Sequence, residues 1–139
     1  MSYEAKRAGV KRGMRIFDIK RVSPNCIIVP SDYETYSLFS KRMFDIIREF
    51  TPVVEEYSID EAFADITCLR RFFKGSYETI AGKIKTKIGS ELGISVSVGV
   101  SLGKTLAKIA SEYKKPGGLT VVSGGEVVNI LQKCKIEDF

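Results

Sequence analysis

Apolar and polar positions along the chain change period several times, and each change marks an element. From residue 33, Tyr36, Phe39, Met43, Ile47 and Phe50 fall on one helical face while Lys41, Arg42, Asp45 and Arg48 lie off it. Ser31 and Glu34 stand at capping-box spacing before that helix, and Thr51-Pro52 ends it. Residues 53–67 then run as two short extended segments with Asp60-Glu61 at their junction, unbroken by Gly or Pro, which predicts a hairpin packed on a core. A basic, aromatic connection (Arg70-Arg71-Phe72-Phe73-Lys74) leads to a second helix over 76–92. That helix buries Ile80, Ile84, Ile88 and Leu92 and stops at Gly93.

Residues 94–100 alternate strictly, with β-branched side chains at the even positions, and predict a strand. A third helix over 104–114 turns Leu106, Ile109, Ala110 and Tyr113 inward. Pro116-Gly117-Gly118 ends it, and 119–122 predict another strand. A short last helix runs through Gln132, and residues 136–139 stop without a terminator. The first thirty residues are basic and irregular. They hold one short helix stopped by Gly9, turns at Gly13 and at Ser23-Pro24-Asn25, and two short strands or apolar plugs at 16–19 and 26–29. The order from residue 33, α-β-β-α-β-α-β-α, predicts an α+β layer fold, a mixed or antiparallel sheet covered by helices.

With 139 residues, 44% apolar and 28% charged, the chain supports one domain with a real core, or one domain plus a small appendage. No apolar run is long enough to span a bilayer, so no membrane partner is expected. Three unpatterned cysteines (Cys26, Cys68, Cys134) fit a reducing cytoplasm. Histidine is absent, which removes His/Cys zinc sites and Ser-His or Cys-His nucleophiles. Any chemistry therefore rests on carboxylates, lysines, arginines and backbone groups. The net charge of +5 is modest, but acids gather at 49–65 and bases at both sides of them. A basic rim around an acidic centre suits an enzyme that holds metal ions against phosphates.

Three stretches carry candidate chemistry. Adjacent carboxylates at Asp60 and Glu61 repel one another, and partial burial raises the cost. A bound Mg²⁺, which takes carboxylate oxygens, waters and substrate phosphates, removes it. An acidic dipeptide is by default a solvated turn, yet the apolar residues on both sides favour a site. Lys104, Lys108, Ser111 and Lys115 follow at spacings of four, three and four; a solvated lysine face is the ordinary reading of such a row. Lys115, however, precedes Pro116-Gly117-Gly118, where a tight turn fixes its backbone beside exposed amides that suit a phosphate. At the start, Ser2-Tyr3-Glu4-Ala5-Lys6-Arg7 is either a frayed amphipathic end or an aromatic and two bases facing a triphosphate.

Tyr57-Ser58-Ile59-Asp60-Glu61-Ala62-Phe63 closely resembles the central acidic motif of the Y-family, or translesion, DNA polymerases. Residues 99–111 with Lys115-Pro116-Gly117-Gly118 resemble that family's next motif, and residues 2–6 with 9–14 resemble its fingers motif. The tyrosine before Ser-Ile-Asp-Glu leans toward the ImpB/MucB/SamB (UmuC-like) branch. The resemblance implies a ferredoxin-like palm over residues 31–139 and a partial fingers segment over 1–30. It also implies template-directed nucleotidyl transfer from dNTPs on a DNA primer-template during damage tolerance.

Position by position, the resemblance implies that Asp60 coordinates a catalytic metal and that Glu61 assists or positions the primer hydroxyl. Tyr3, Lys6 and Lys115 meet the triphosphate, Lys104 and Lys108 face DNA, and two Mg²⁺ ions serve the reaction. Lys6 replaces the usual arginine, so a bidentate clamp becomes a single contact. Gly117 stands where asparagine is common. The family's first metal-binding aspartate, thumb and little-finger domain have no counterpart here. The chain is therefore expected to be part of a longer polymerase and inactive alone, with any sliding clamp or SOS-type accessory protein engaging missing regions. A nucleotide cyclase on a related palm is a second reading, though it wants glycines where Tyr57, Ser58 and Ile59 stand. A non-catalytic nucleic-acid-binding module is a third.

Overall fold

The computed structural model describes residues 1–132, and the predicted residues 136–139, like Cys134, lie outside them. The chain divides into two compact units, one over Met1–Asp32 and one from Tyr33 onward.

In the first unit, helix α1 (Tyr3–Arg7) starts where the Ser2 hydroxyl accepts the Ala5 amide, and ends before Gly9, whose φ of +90° only glycine adopts readily. Val10 is its buried apolar residue. The two stretches read as strands or plugs differ from that expectation. Residues 16–19 belong to helix α2 (Ile16–Val22), whose N-terminal turn is tied by Arg15 Nε to Asp18 at 2.9 Å. Residues 26–29 form no regular element; Lys20 Nζ donates to the Cys26 carbonyl at 2.8 Å and holds that stretch as a loop. Local polar bonds won over β-branched propensity.

In the second unit, helix α3 (Tyr33–Arg48) buries Met43, Phe44, Ile46 and Ile47. Its first residue is Tyr33, so Asp32 rather than Ser31 precedes it. Tyr36, expected on the apolar face, is exposed. Strands β1 (Val54–Ser58) and β2 (Glu61–Ala64) form the predicted antiparallel hairpin. Buried Thr51 clamps its base, donating to the Asp65 carbonyl at 2.7 Å and accepting the Val53 amide. A five-residue helix, α4 (Leu69–Phe73), fills the predicted connection between left-handed residues Cys68 and Lys74.

Helix α5 (Tyr77–Leu92) matches its expected bounds. The Ser76 hydroxyl caps it by accepting the Thr79 amide, and Gly93 closes it at φ +68°. Ile80, Ile84 and Ile88 pack on α3 in the main core, with Val54, Ala62 and Ala64 of the hairpin partly buried against it.

Strand β3 spans Val98–Val100 only, shorter than the predicted 94–100, because its parallel partner β4 (Leu119–Val121) is itself three residues long. Between them helix α6 (Lys104–Glu112) buries Ile109 and Ala110, while Tyr113, expected inward, lies past the helix and is exposed. A short 3₁₀ turn (Gly124–Glu126) and helix α7 (Val127–Leu131) complete the described chain. The architecture is α+β, with the strands in two pairs, one antiparallel and one parallel, covered by helices. No helix among the described residues is long and apolar enough to cross a membrane.

Candidate active site at the hairpin tip

Alternation along β1 and β2 sorts the hairpin's side chains. Val54, Ala62 and Ala64 turn to the core, and the opposite face carries Glu55 and Phe63, which are register partners. The register shifts between Glu56 and Ser58, a bulge at Tyr57 that re-aims the tip. Tyr57 packs edge-on to Phe63 with ring centroids 5.4 Å apart. Asp60 sits in the turn, exposed, and its Oδ1 accepts the Ser58 hydroxyl at 2.9 Å. Glu61 begins β2 and is half-buried.

Helix α6 faces this tip with its lysines. Lys104 Nζ lies 2.7 Å from Glu55 Oε2 and 5.8 Å from the centre of the Phe63 ring. Lys108 pairs with Glu61 and also reaches Glu112, one helical turn on, at 3.5 Å. Glu112 in turn holds Lys115 at 2.6 Å. A continuous relay of alternating charge thus runs Glu61, Lys108, Glu112, Lys115. The structure brings the acidic pair, Lys104, Lys108 and Lys115 into one region of the second unit; Tyr3 and Lys6 belong to the first. Glu55 and Glu112 were missed from sequence. Glu112 carried a signal in its helical spacing to Lys108 and Lys115, but nothing local tied either lysine to the hairpin.

Lys115 is not on the helix, as its spacing suggested; α6 ends at Glu112, and Lys115 sits in the turn that follows. There Gly117 has φ +67°, and its amide donates to Ser97 Oγ at 3.0 Å. Asparagine is among the few non-glycine residues that tolerate that conformation. Gly118 packs so that a Cβ would lie 2.1 Å from the Lys114 carbonyl oxygen. Ser111 turns back on its own helix, donating to the Lys108 carbonyl at 2.7 Å.

The ion pairs shift titrations in the expected sense. The hydrogen bond to Glu61 is the main cause that raises the Lys108 pKa, against some desolvation. For Glu112, burial pushes the carboxyl up, but Lys115 and Lys108 together outweigh it and hold the group below its ordinary 4.5. A depressed carboxyl adds stability that is present above the unfolded value and is lost as pH falls through the folded one. Glu112→Gln is therefore expected to cost less than about 1 kcal/mol at neutral pH, the pair being half-exposed. The gap from wild type should narrow below about pH 4.5, which urea denaturation at neutral and acid pH would read.

Asp60 and Glu61 offer hard oxygen donors suited to Mg²⁺. Among the described residues no group of three or more acid, cysteine or histidine side chains is placed to hold a metal. Two carboxylates with the remaining positions left to water and phosphate oxygens is a usual Mg²⁺ arrangement, so the residues present fit that ion as a substrate-completed site.

Residues 1–112 match the impB/mucB/samB family. DNA polymerase IV of Bacillus velezensis is 41% identical over 99% of this chain and 33% of its own length. DNA polymerase IV of Clostridium kluyveri is 45% identical over 86% of this chain and 30% of its own length. The crystal structure of a DinB family error-prone DNA polymerase from Sulfolobus solfataricus superposes with a TM-score of 0.88 at 35% identity, covering 99% of this chain and 41% of that one. The chain thus spans between 30% and 41% of the length of these relatives. Three motifs in order, the hairpin that carries the acidic one and the match over residues 1–112 agree: the chain belongs to the impB/mucB/samB family of Y-family DNA polymerases.

Proposed function

We propose that this chain supplies the palm (31–139) and part of the fingers (1–30) of a translesion DNA polymerase. The reaction is attack of a primer 3′-hydroxyl on the α-phosphate of a dNTP, with pyrophosphate leaving. The observation that carries this reading is the charge relay from the Asp60-Glu61 tip to Lys115, which sets acidic and basic groups together as metal-assisted phosphoryl transfer requires.

In this reading Asp60 and Glu61 hold Mg²⁺, which when bound neutralises charge on the phosphates. Lys115, pinned by Glu112 and the turn, meets the triphosphate as a point charge. Lys108 orients the Glu61 carboxylate and offsets part of its charge before any phosphate arrives. Lys104, the more exposed of the two α6 lysines, is the one free to swing from Glu55 to a DNA phosphate.

Primer extension tests the reading. The chain alone is expected to add no nucleotides, since two carboxylates leave the two-metal set a ligand short. A chimera in which this chain replaces the matching segment of the Bacillus velezensis relative is expected to extend a primer. A folded but inactive chimera would contradict the proposal. Salt-dependent DNA binding without divalent-ion binding would instead support a non-catalytic module.

A further inference from the structure

Some bases of the second unit are neutralised locally. Arg48, Lys87, Lys104, Lys108 and Lys115 each pair with a carboxylate. Helix α4 and the turn after it gather three further bases. Arg70, Arg71 and Lys74 are exposed, and none makes an ion pair among the described residues. Together with Cys68 and Gly75 they line an open recess of about 840 Å³. Beside it Phe72 is 80% exposed, an unusual position for a phenylalanine.

These side chains are presented on a firm base. Phe72 rests edge-on against Phe73, ring centroids 5.0 Å apart, and Phe73 stacks on Phe50 at 5.6 Å. Arg70 lies over the Tyr77 ring at 5.5 Å. Cys68 and Lys74, both left-handed, bend the chain at either end of the helix and set it off as a short knuckle. Unpaired cations that track a phosphate backbone, next to an aromatic face on which a base stacks, are the chemistry of single-strand binding.

We infer that this knuckle is a nucleic-acid contact separate from the hairpin tip. The phosphates of a single strand lie on Arg70, Arg71 and Lys74, and a base stacks on Phe72. An acidic peptide would satisfy the cations but gives the exposed ring no role. The choice of DNA rests on the polymerase reading; the cation and aromatic geometry does not.

The test is fluorescence anisotropy of a labelled short oligothymidylate with the chain, in EDTA, between about 50 and about 200 mM salt. The triple variant R70Q/R71Q/K74Q is expected to flatten the plot of log affinity against log salt by about 2, three contacts at roughly 0.7 each. Phe72→Ala is expected to weaken binding about tenfold with the slope unchanged. All four side chains are exposed, so unaltered melting of both variants serves as the fold control. An unchanged slope in the triple variant overturns the inference. So does an unaffected Phe72→Ala, or polyglutamate competing as well as the oligonucleotide. EDTA removes any metal–nucleotide site, so failure here and failure of the primer-extension test are separate results.

Discussion

Gly99→Ala is expected to cost more than about 3 kcal/mol, a large share of the roughly 5–15 kcal/mol that holds a domain together. Gly99 is the middle residue of β3, and helix α6 crosses directly over it. A Cβ there would lie 2.0 Å from the Ala107 carbonyl oxygen and 2.5 Å from the Ser111 amide nitrogen. Both are helix backbone atoms, so no side chain can rotate away. Strand and helix must part, loosening Ile109 and Ala110, which are almost completely buried. The same shift moves Lys104 and Lys108 off the hairpin. Urea denaturation would show the loss, with Gly125→Ala, which meets nothing within 4 Å, changing stability by less than about 0.5 kcal/mol. A Gly99→Ala midpoint near wild type would mean that α6 does not rest on β3 as described.

Asp60→Ala is expected to have the opposite profile: stability within about 0.5 kcal/mol of wild type, and chimera primer extension lowered on the order of 10³-fold. The side chain is exposed, and its hydrogen bond is to Ser58 within the same turn, so folding has little to lose. Metal-held charge neutralisation is worth several kcal/mol in the transition state, which sets the size of the rate effect. Glu61→Gln is expected to lose activity too, but with some loss of stability, because it also breaks the pair with Lys108. A chimera that keeps its rate with Asp60→Ala would remove Asp60 from the catalytic role.

The sequence made some of this legible and hid the rest for physical reasons. Helix α5 was readable at both ends because Ser76 and Gly93 are local signals that act through their own backbone. Helix α3 was readable from its periodicity, although its buried face is wider than one stripe and takes in Phe44 and Ile46. Helix α2 was not, because Ile16, Phe17 and Ile19 suggest a strand until the Arg15–Asp18 pair is seen. Residues 94–97 alternate like a strand, but β4 offers partners only to Val98–Val100. At the site, the acidic tip followed from two apolar runs meeting at Asp60-Glu61. The relay did not, since Glu61 and Lys108 are 47 residues apart and only packing brings them together.

The central claim is that the hairpin carboxylates and Lys115 act on one ligand, a nucleotide's phosphates joined to the acids by a divalent ion. Calorimetric titration of a dNTP into the chain, with and without Mg²⁺, tests it most directly. Mg²⁺ is expected to strengthen nucleotide binding by the wild type and to have no such effect with Asp60→Ala, while Lys115→Ala weakens binding under both conditions. Nucleotide binding that is indifferent to Mg²⁺ in the wild type, or equally Mg²⁺-dependent in Asp60→Ala, would contradict the account.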